Sequence, residues 1–191
     1  MTSRHERRKV RRATLLGAAI GVAMLLACGV ALAATLEGTD GPDTFVGTDR
    51  PDDIRGRAGD DTLSGAGGID RVRGDGGNDT VSGGLGGTLD RRERVEGNGG
   101  NDKVSGDEGA DEVRGDSGND SMLGGDGADF IRADDGGTDT VSAGAGDDVI
   151  EAHEDSGKDT IDCGDGIDLV RFDAGVDGDV VADNCERRDP H

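Results

Sequence analysis

Tryptophan and tyrosine are absent from this 191-residue chain, phenylalanine occurs three times, and aromatics amount to 2%. Apolar residues of every kind reach only 31%, too few to close an ordinary two-layer core by side-chain burial. That argues against a typical compact enzyme domain unless something other than burial holds the chain together. Bases are scarce as well: 21 Lys and Arg stand against 42 Asp and Glu, for a net charge of −21. A nucleic-acid partner is disfavoured on that ground, because phosphate backbones select for Lys and Arg. Soft metal ligands are few, with His5 and His191 near the chain ends and His153 alone between them, so transition-metal binding is poorly supported. What the chain does have is 37 glycines and a large excess of carboxylates. Composition alone would describe acidic disorder.

The amino terminus is the exception in charge. Arg4, Arg7, Arg8, Lys9, Arg11 and Arg12 face a single acid, Glu6, and an apolar run follows from Ala13 to Ala34. This is the layout of a secretory signal over residues 1–33, with Ala31-Leu32-Ala33 as the small-x-small cleavage site. Its removal takes away six bases and one acid, a net five positive charges, and leaves −26 on the remaining 158 residues. The run is also long enough, at roughly 20 residues, to serve as an uncleaved anchor. Leu25-Leu26-Ala27-Cys28 resembles a bacterial lipoprotein box, which would lipidate Cys28 and hold the chain at the cell surface; the apolar run continuing six residues past Cys28 speaks against it. Arg11-Arg12 is a weak twin-arginine candidate. Export, to the extracellular side, is the common expectation.

From residue 34 to 191 a nine-residue period takes over. An apolar column runs from Phe45, Ile54, Leu63, Val72 and Val81 through to Val170 and Val181, and ten of its fourteen spacings equal nine. Two residues before each of its fifteen members stands an acid, which is Asp in fourteen cases. Disordered acidic sequence does not keep a carboxylate and a branched aliphatic in phase over about 140 residues. Counting so that this acid is position six, positions one to six are glycine-rich, as in Gly74-Asp75-Gly76-Gly77-Asn78-Asp79 and Gly97-Asn98-Gly99-Gly100-Asn101-Asp102. Glycine at positions one and four is expected to supply the positive φ of a tight turn. Positions seven to nine, such as Thr80-Val81-Ser82, read as a three-residue strand with one inward apolar side chain. A thin column of Val, Ile and Leu would then be the whole core.

These units resemble the repeat-in-toxin, or hemolysin-type calcium-binding, family, whose nonapeptide reads G-G-x-G-x-D-x-U-x with U large and apolar. The resemblance covers residues 38–182 and implies an all-β fold, a parallel β-roll with two nonapeptides per coil. It further implies calcium ions in the turns between stacked coils, bound by the position-six Asp and by carbonyls of the glycine-rich turns. The residues assigned on this basis are Asp43, Asp61, Asp70, Asp79, Asp102, Asp111, Asp120, Asp129, Asp148 and Asp168. Stacking of alternate units would let Asp61 share an ion with Asp79, Asp102 with Asp120, Asp111 with Asp129, and Asp148 with Asp168. Calcium suits the donors, since it takes about six to eight hard oxygens in flexible geometry. About eight to ten ions would cancel about 16–20 negative charges.

The pattern decays in places. Arg50 stands where glycine belongs, and the turns at 134–138 and 152–157 are stretched. The irregular unit at 83–96 carries five extra residues, Glu93 for Asp, and a basic cluster of Arg91, Arg92 and Arg94; it reads as a bulged seam without a full site. Units at 97–132 are the most regular and should nucleate the roll, with Asp111→Ala or Asp120→Ala more damaging than Glu93→Ala. Cys163 and Cys185 form the one pair outside the leader, and an exported chain is expected to oxidise it. With alternate units stacked they fall on adjacent coils, out of phase by about two residues, and would staple a carboxy-terminal cap over 172–191 at about the 4.4–6.8 Å Cα separation of a disulfide.

Three function classes follow. The first is an exported calcium-binding roll whose partners are calcium ions. An enzyme is disfavoured, because no segment is left for a catalytic domain, no Gly-x-Ser-x-Gly elbow occurs and His153-Glu154 lacks a second His. A cell-surface or matrix adhesion protein would show a regular array of one residue type on a face, yet position nine varies among Ser, Arg, Leu and Glu.

Overall fold

The computed structural model describes residues 33–133, 136–152, 157–172, 178–185 and 187–190. Residues 1–32 of the leader expected over 1–33, including Cys28, and the His153-Glu154 pair lie outside the described residues. Among the described residues no helix is long and apolar enough to cross a membrane.

The strands run as β1 (Thr35–Glu37), β2 (Thr44–Val46), β3 (Asp53–Ala58), β4 (Thr62–Gly68), β5 (Arg71–Gly76) and β6 (Thr80–Gly86). They continue as β7 (Glu93–Gly99), β8 (Lys103–Glu108), β9 (Asp111–Ser117), β10 (Ser121–Asp126), β11 (Phe130–Arg132) and β12 (Thr140–Ala145). The last are β13 (Val149–Ala152), β14 (Thr160–Asp162), β15 (Leu169–Phe172), β16 (Val180–Val181) and β17 (Arg187–Pro190). Odd-numbered strands form one parallel sheet and even-numbered strands the other, each in simple sequential order. Two units therefore make one coil, and the protein is a parallel β-roll.

Register is set by the apolar column rather than by residue count. Ile54 pairs with Val72 and Leu63 with Val81, each 18 residues apart. Across the irregular unit Val72 pairs with Val95 and Val81 with Val104, yet the column stays in phase. Further on Met122 meets Val141, and Ile150 meets Val170. Slipping a strand by one residue would turn its only large apolar side chain outward. The two rows face each other as a core of Ile, Val, Leu and Met, each at most 1% exposed. Leu36, Phe45 and Val181 close it in part at the ends.

Many of the strands are longer than the three residues expected. β3 to β10 span six or seven because the ladder runs on through the glycine-rich half, as in Arg57↔Asp75 and Ala58↔Gly76. The turns stack too: the Gly59 N–H donates to the Gly76 carbonyl at 2.8 Å and the Gly100 N–H to the Ser117 carbonyl at 2.9 Å.

The glycine assignment needs correction at position one. Positive φ occurs at position four, as at Gly77 (142°) and Gly100 (137°), and at position two, where non-glycine residues often adopt it. Asp75 (72°), Asn98 (78°), Asp107 (74°) and Asp116 (62°) suit it, because Asx side chains tolerate the left-handed region. Among the described residues position one has no positive φ; its glycine is required for space, as the site geometry shows.

Position nine also resolves once the units are sorted by sheet. The odd sheet presents Arg55, Arg73, Glu96, Arg114, Arg132, Glu151 and Arg171 outward, tied by ion pairs such as Arg73–Asp53 (3.1 Å) and Arg171–Glu151 (2.8 Å). The even sheet presents Ser64, Ser82, Ser105 and Ser142 at position nine, interrupted by Val46, Leu123 and Asp162, with Thr44, Thr62, Thr80, Ser121, Thr140 and Thr160 in register at position seven, where Lys103 interrupts the run. Much of the variation at position nine is thus an alternation between two faces.

Cys163 and Cys185 form a disulfide with Cα atoms 5.3 Å apart. Closing this loop of 22 residues is worth roughly 3 kcal/mol on the chain-entropy view.

Candidate metal centre

The period places the position-six Asp where the turn enters the strand, pointing inward. Of the ten assigned residues, Asp61, Asp70, Asp79, Asp102, Asp111, Asp120, Asp129, Asp148 and Asp168 are all at most 3% exposed. Except at Asp111, one oxygen of each of these carboxylates accepts the main-chain N–H of the equivalent residue one coil earlier. Asp61 N–H donates to Asp79 Oδ1 at 2.8 Å, Asp102 N–H to Asp120 at 2.8 Å, Asp111 N–H to Asp129 at 2.9 Å and Asp148 N–H to Asp168 at 2.9 Å. The pairs expected two units apart are thus in direct contact. Asp43 differs: it is half-buried, and its Oδ2 accepts from Thr39 N–H (2.6 Å) and Thr39 Oγ1 (3.0 Å), as Asp52 does from Thr48.

The second oxygen is the informative one. Oδ2 of Asp61, Asp70, Asp79, Asp102, Asp111, Asp120, Asp129 and Asp148 is buried and accepts no hydrogen bond. In the units with glycine at position one it lies against that glycine, as at Gly65, Gly106 and Gly124, which also approach a carbonyl of the next coil; the unit of Asp148 has Ala143 there. A methyl on Gly106 would stand 2.7 Å from Asp111 Oδ2 and 2.6 Å from the Gly124 carbonyl oxygen. On Gly124 it would stand 2.6 Å from Asp129 Oδ2, and on Gly65 2.5 Å from Asp70 Oδ2. That cradle of oxygens around an empty Cβ position is why glycine occupies position one in most units, although residues such as Ala143 and Cys163 also stand there.

Buried anionic oxygens with no donor are costly. Burial pushes the carboxyls of Asp61 and Asp70 up to about 6, Asp102 and Asp148 to about 7, and Asp111 to about 8. Neighbouring carboxylates add to it: Asp120 and Asp79 act on Asp102, and Asp129 on Asp111. Basic side chains relieve the column little: Arg92 draws the Asp111 and Asp129 carboxyls down, against the larger effect of burial. Among the described residues every ion pair lies on the outer charged face, and none includes a position-six acid.

No three carboxylate, imidazole or thiolate groups converge among the described residues. A cation here would therefore be held by one or two carboxylates and by main-chain carbonyls. Such an all-oxygen, flexible donor set fits calcium, and fits magnesium poorly, since that ion demands near-ideal octahedral geometry.

The RTX calcium-binding nonapeptide repeat matches the sequence four times, over residues 37–72, 59–87, 96–131 and 134–170. The chain belongs to this family. Together the matches cover more than half of it. No curated protein matches the chain. RTX repeats bind calcium, and the cradles of this RTX protein have the oxygen chemistry for it.

Two features of this RTX roll go beyond the assigned residues. Asp139, Asp159 and Asp179 belong to the same ladder, with Asp120 N–H donating to Asp139 Oδ1 and Asp139 N–H to Asp159 Oδ1, each at 2.8 Å; the nine-residue phase already pointed to them. Position five carries a second ladder, in which Asn78, Asn101 and Asn119 pass their side-chain oxygens from coil to coil at 2.8 Å. Its signal was the repeated Asn-Asp dipeptide.

Glu93 corrects the reading of the irregular unit. It is fully buried and in register, accepting the Asp70 N–H at 3.2 Å, while the added chain loops outward through a Thr88–Arg91 bridge. Burial, with Asp111 and Asp70 beside it, pushes its carboxyl up to about 8.

Proposed function

We propose that this RTX protein is an exported, extracellular calcium-binding roll that completes its fold by loading several Ca2+ ions, and that it works without a catalytic centre. The observation that supports this is the row of inward carboxylate oxygens that lack any donor and face the glycine cradles. Without an ion, acids stack at roughly the 4.8 Å strand spacing and repel. With ions, each coil is tied to the next, and a repeat array gains its stability from such neighbour interfaces. The thin apolar column alone does not offset the conformational entropy of so glycine-rich a chain.

Circular dichroism of the exported chain, titrated separately with calcium and magnesium, tests this reading. Calcium should convert an expanded chain into a compact β-rich one at far lower concentration than magnesium. An unchanged spectrum and hydrodynamic radius on chelation would defeat it. Intact mass of exported material separates cleavage near Ala34 from lipid anchoring through Cys28.

The hydroxyl rows on the even sheet favour a second reading, in which the calcium-stiffened roll serves as a cell-surface or matrix adhesion module. Calcium-dependent co-sedimentation with cell-surface material, lost when Thr62, Thr80 and Thr140 are replaced by Glu, would support it. Retention of binding by that variant would rule this face out.

A further inference from the structure

The irregular unit stands apart from every regular turn in its unsatisfied oxygens. In the regular ladder Oδ1 accepts the N–H of the acid one coil earlier, which leaves one oxygen over. Asp111 follows Glu93 in the ladder and accepts no such bond: both Oδ1 and Oδ2 are buried and without a partner. Glu93 Oε2, one coil earlier, is likewise buried and unpartnered, and both side chains are fully buried. The glycines of the inserted segment lie against these atoms. A methyl on Gly87 would stand 2.7 Å from Asp111 Oδ1, and one on Gly83 or Gly86 3.1 Å from Glu93 Oε2. Gly86-Gly87 thus sits against a free oxygen from each acid.

The charge of Arg92 bears on Asp111, but neither acid forms an ion pair among the described residues. Arg92 is exposed, and its guanidinium lies over the Phe130 ring at 5.6 Å, beside that of Arg132 at 4.9 Å. The RTX repeat matches end at residue 87 and resume at 96, so Glu93 lies in the gap between them.

We propose that this interrupted unit is itself a calcium site, of a kind different from the regular turns, in which carboxylates of both Glu93 and Asp111 bind one ion with main-chain oxygens around Gly86-Gly87. The inference rests on the calcium reading above. Glu93 suits the place because its extra methylene carries Oε2 beyond the reach of an Asp while Oε1 keeps the ladder bond to Asp70. The insertion removes the usual ladder bond to Asp111 and so leaves a second oxygen of that residue for the ion. Two carboxylates on one divalent ion balance its charge in a closed interior.

Native mass spectrometry of the exported chain at saturating calcium counts the ions, and hydrogen exchange locates them. Glu93→Gln keeps the oxygen that accepts the Asp70 N–H and removes one buried charge. It should bind one ion fewer than the parent and lose calcium-induced protection over 83–96 while keeping it over 97–132. An unchanged ion count, or protection of 83–96 equal to the parent, would overturn the site. Loss of protection over 97–132 as well would also overturn it, by showing that Glu93 supports the stack and not a local ion. A parent chain that binds no calcium would instead refute the reading on which the inference stands.

Discussion

The main-chain N–H of Asp79 reaches Oδ1 of Asp102 at 2.7 Å although 23 residues separate them. Asp61 and Asp79 make the same bond over 18 residues. The coil is therefore gauged by what points inward, and chain in excess of that leaves through the turn.

Removing the excess should be tolerated. Deletion of residues 87–91 restores the regular unit length but removes Gly87 from the proposed Glu93–Asp111 site, so we expect the stack to fold in calcium with one ion fewer, while the change in loop length itself costs under about 1 kcal/mol because it enters closure entropy only logarithmically. Thermal unfolding in calcium by circular dichroism checks this. A lost or broadened transition would mean that the loop supports the stack.

Within the ladder, charge should matter more than shape. Asp120→Asn keeps an oxygen for the Asp102 N–H but removes the anionic ligand, so the calcium midpoint of folding should rise on the order of tenfold, about 1.4 kcal/mol. Asp75→Asn, which loses only the surface pair with Arg55, should leave the midpoint unchanged. Equal midpoints in a calcium titration would show that the column is not where the ions act.

Acid should partly replace calcium. In the ion-free roll Asp102 and Asp148 titrate at about 7 and Glu93 and Asp111 at about 8, against roughly 4 for an unfolded carboxyl. Between those limits the native state binds more protons than the unfolded one, so stability is full below about pH 4 and falls as pH rises through about 6 to 8. The urea midpoint of metal-stripped protein should be higher at about pH 5 than at about pH 8. The reverse order would contradict the burial of these groups.

Glycine should be replaceable by position. Gly100 has φ 137°, and a Cβ there would overlap the Gly77 carbonyl; alanine should cost at least about 2 kcal/mol. Gly99 next to it meets nothing closer than 3.6 Å, and alanine there should cost under about 1 kcal/mol. Chemical denaturation of the two variants in calcium decides between them.

How much of this was legible from the residues follows the same logic. The period fixed the column from Phe45 to Val181, the acids beside it and the coil-to-coil pairing of Asp61 with Asp79, because each depends only on phase. Three things needed the third dimension. Position-one glycine was misread, since lack of space beside an Asp oxygen and positive φ both select glycine and the sequence does not separate them. Glu93 was read as a break because its insertion disturbs the count, while its side chain remains in line. Ser64 and Arg55 looked like noise at one position because alternate units belong to opposite sheets.

That last division has a practical consequence. One broad side of the roll carries mostly hydroxyls from Thr62 to Thr160, interrupted by Lys103 and Leu123, and the other carries interlaced Arg and Glu. Added salt weakens contacts made through the charged side and leaves those made through hydroxyls nearly untouched. Ionic strength alone can therefore report which side of the molecule lies against whatever it touches.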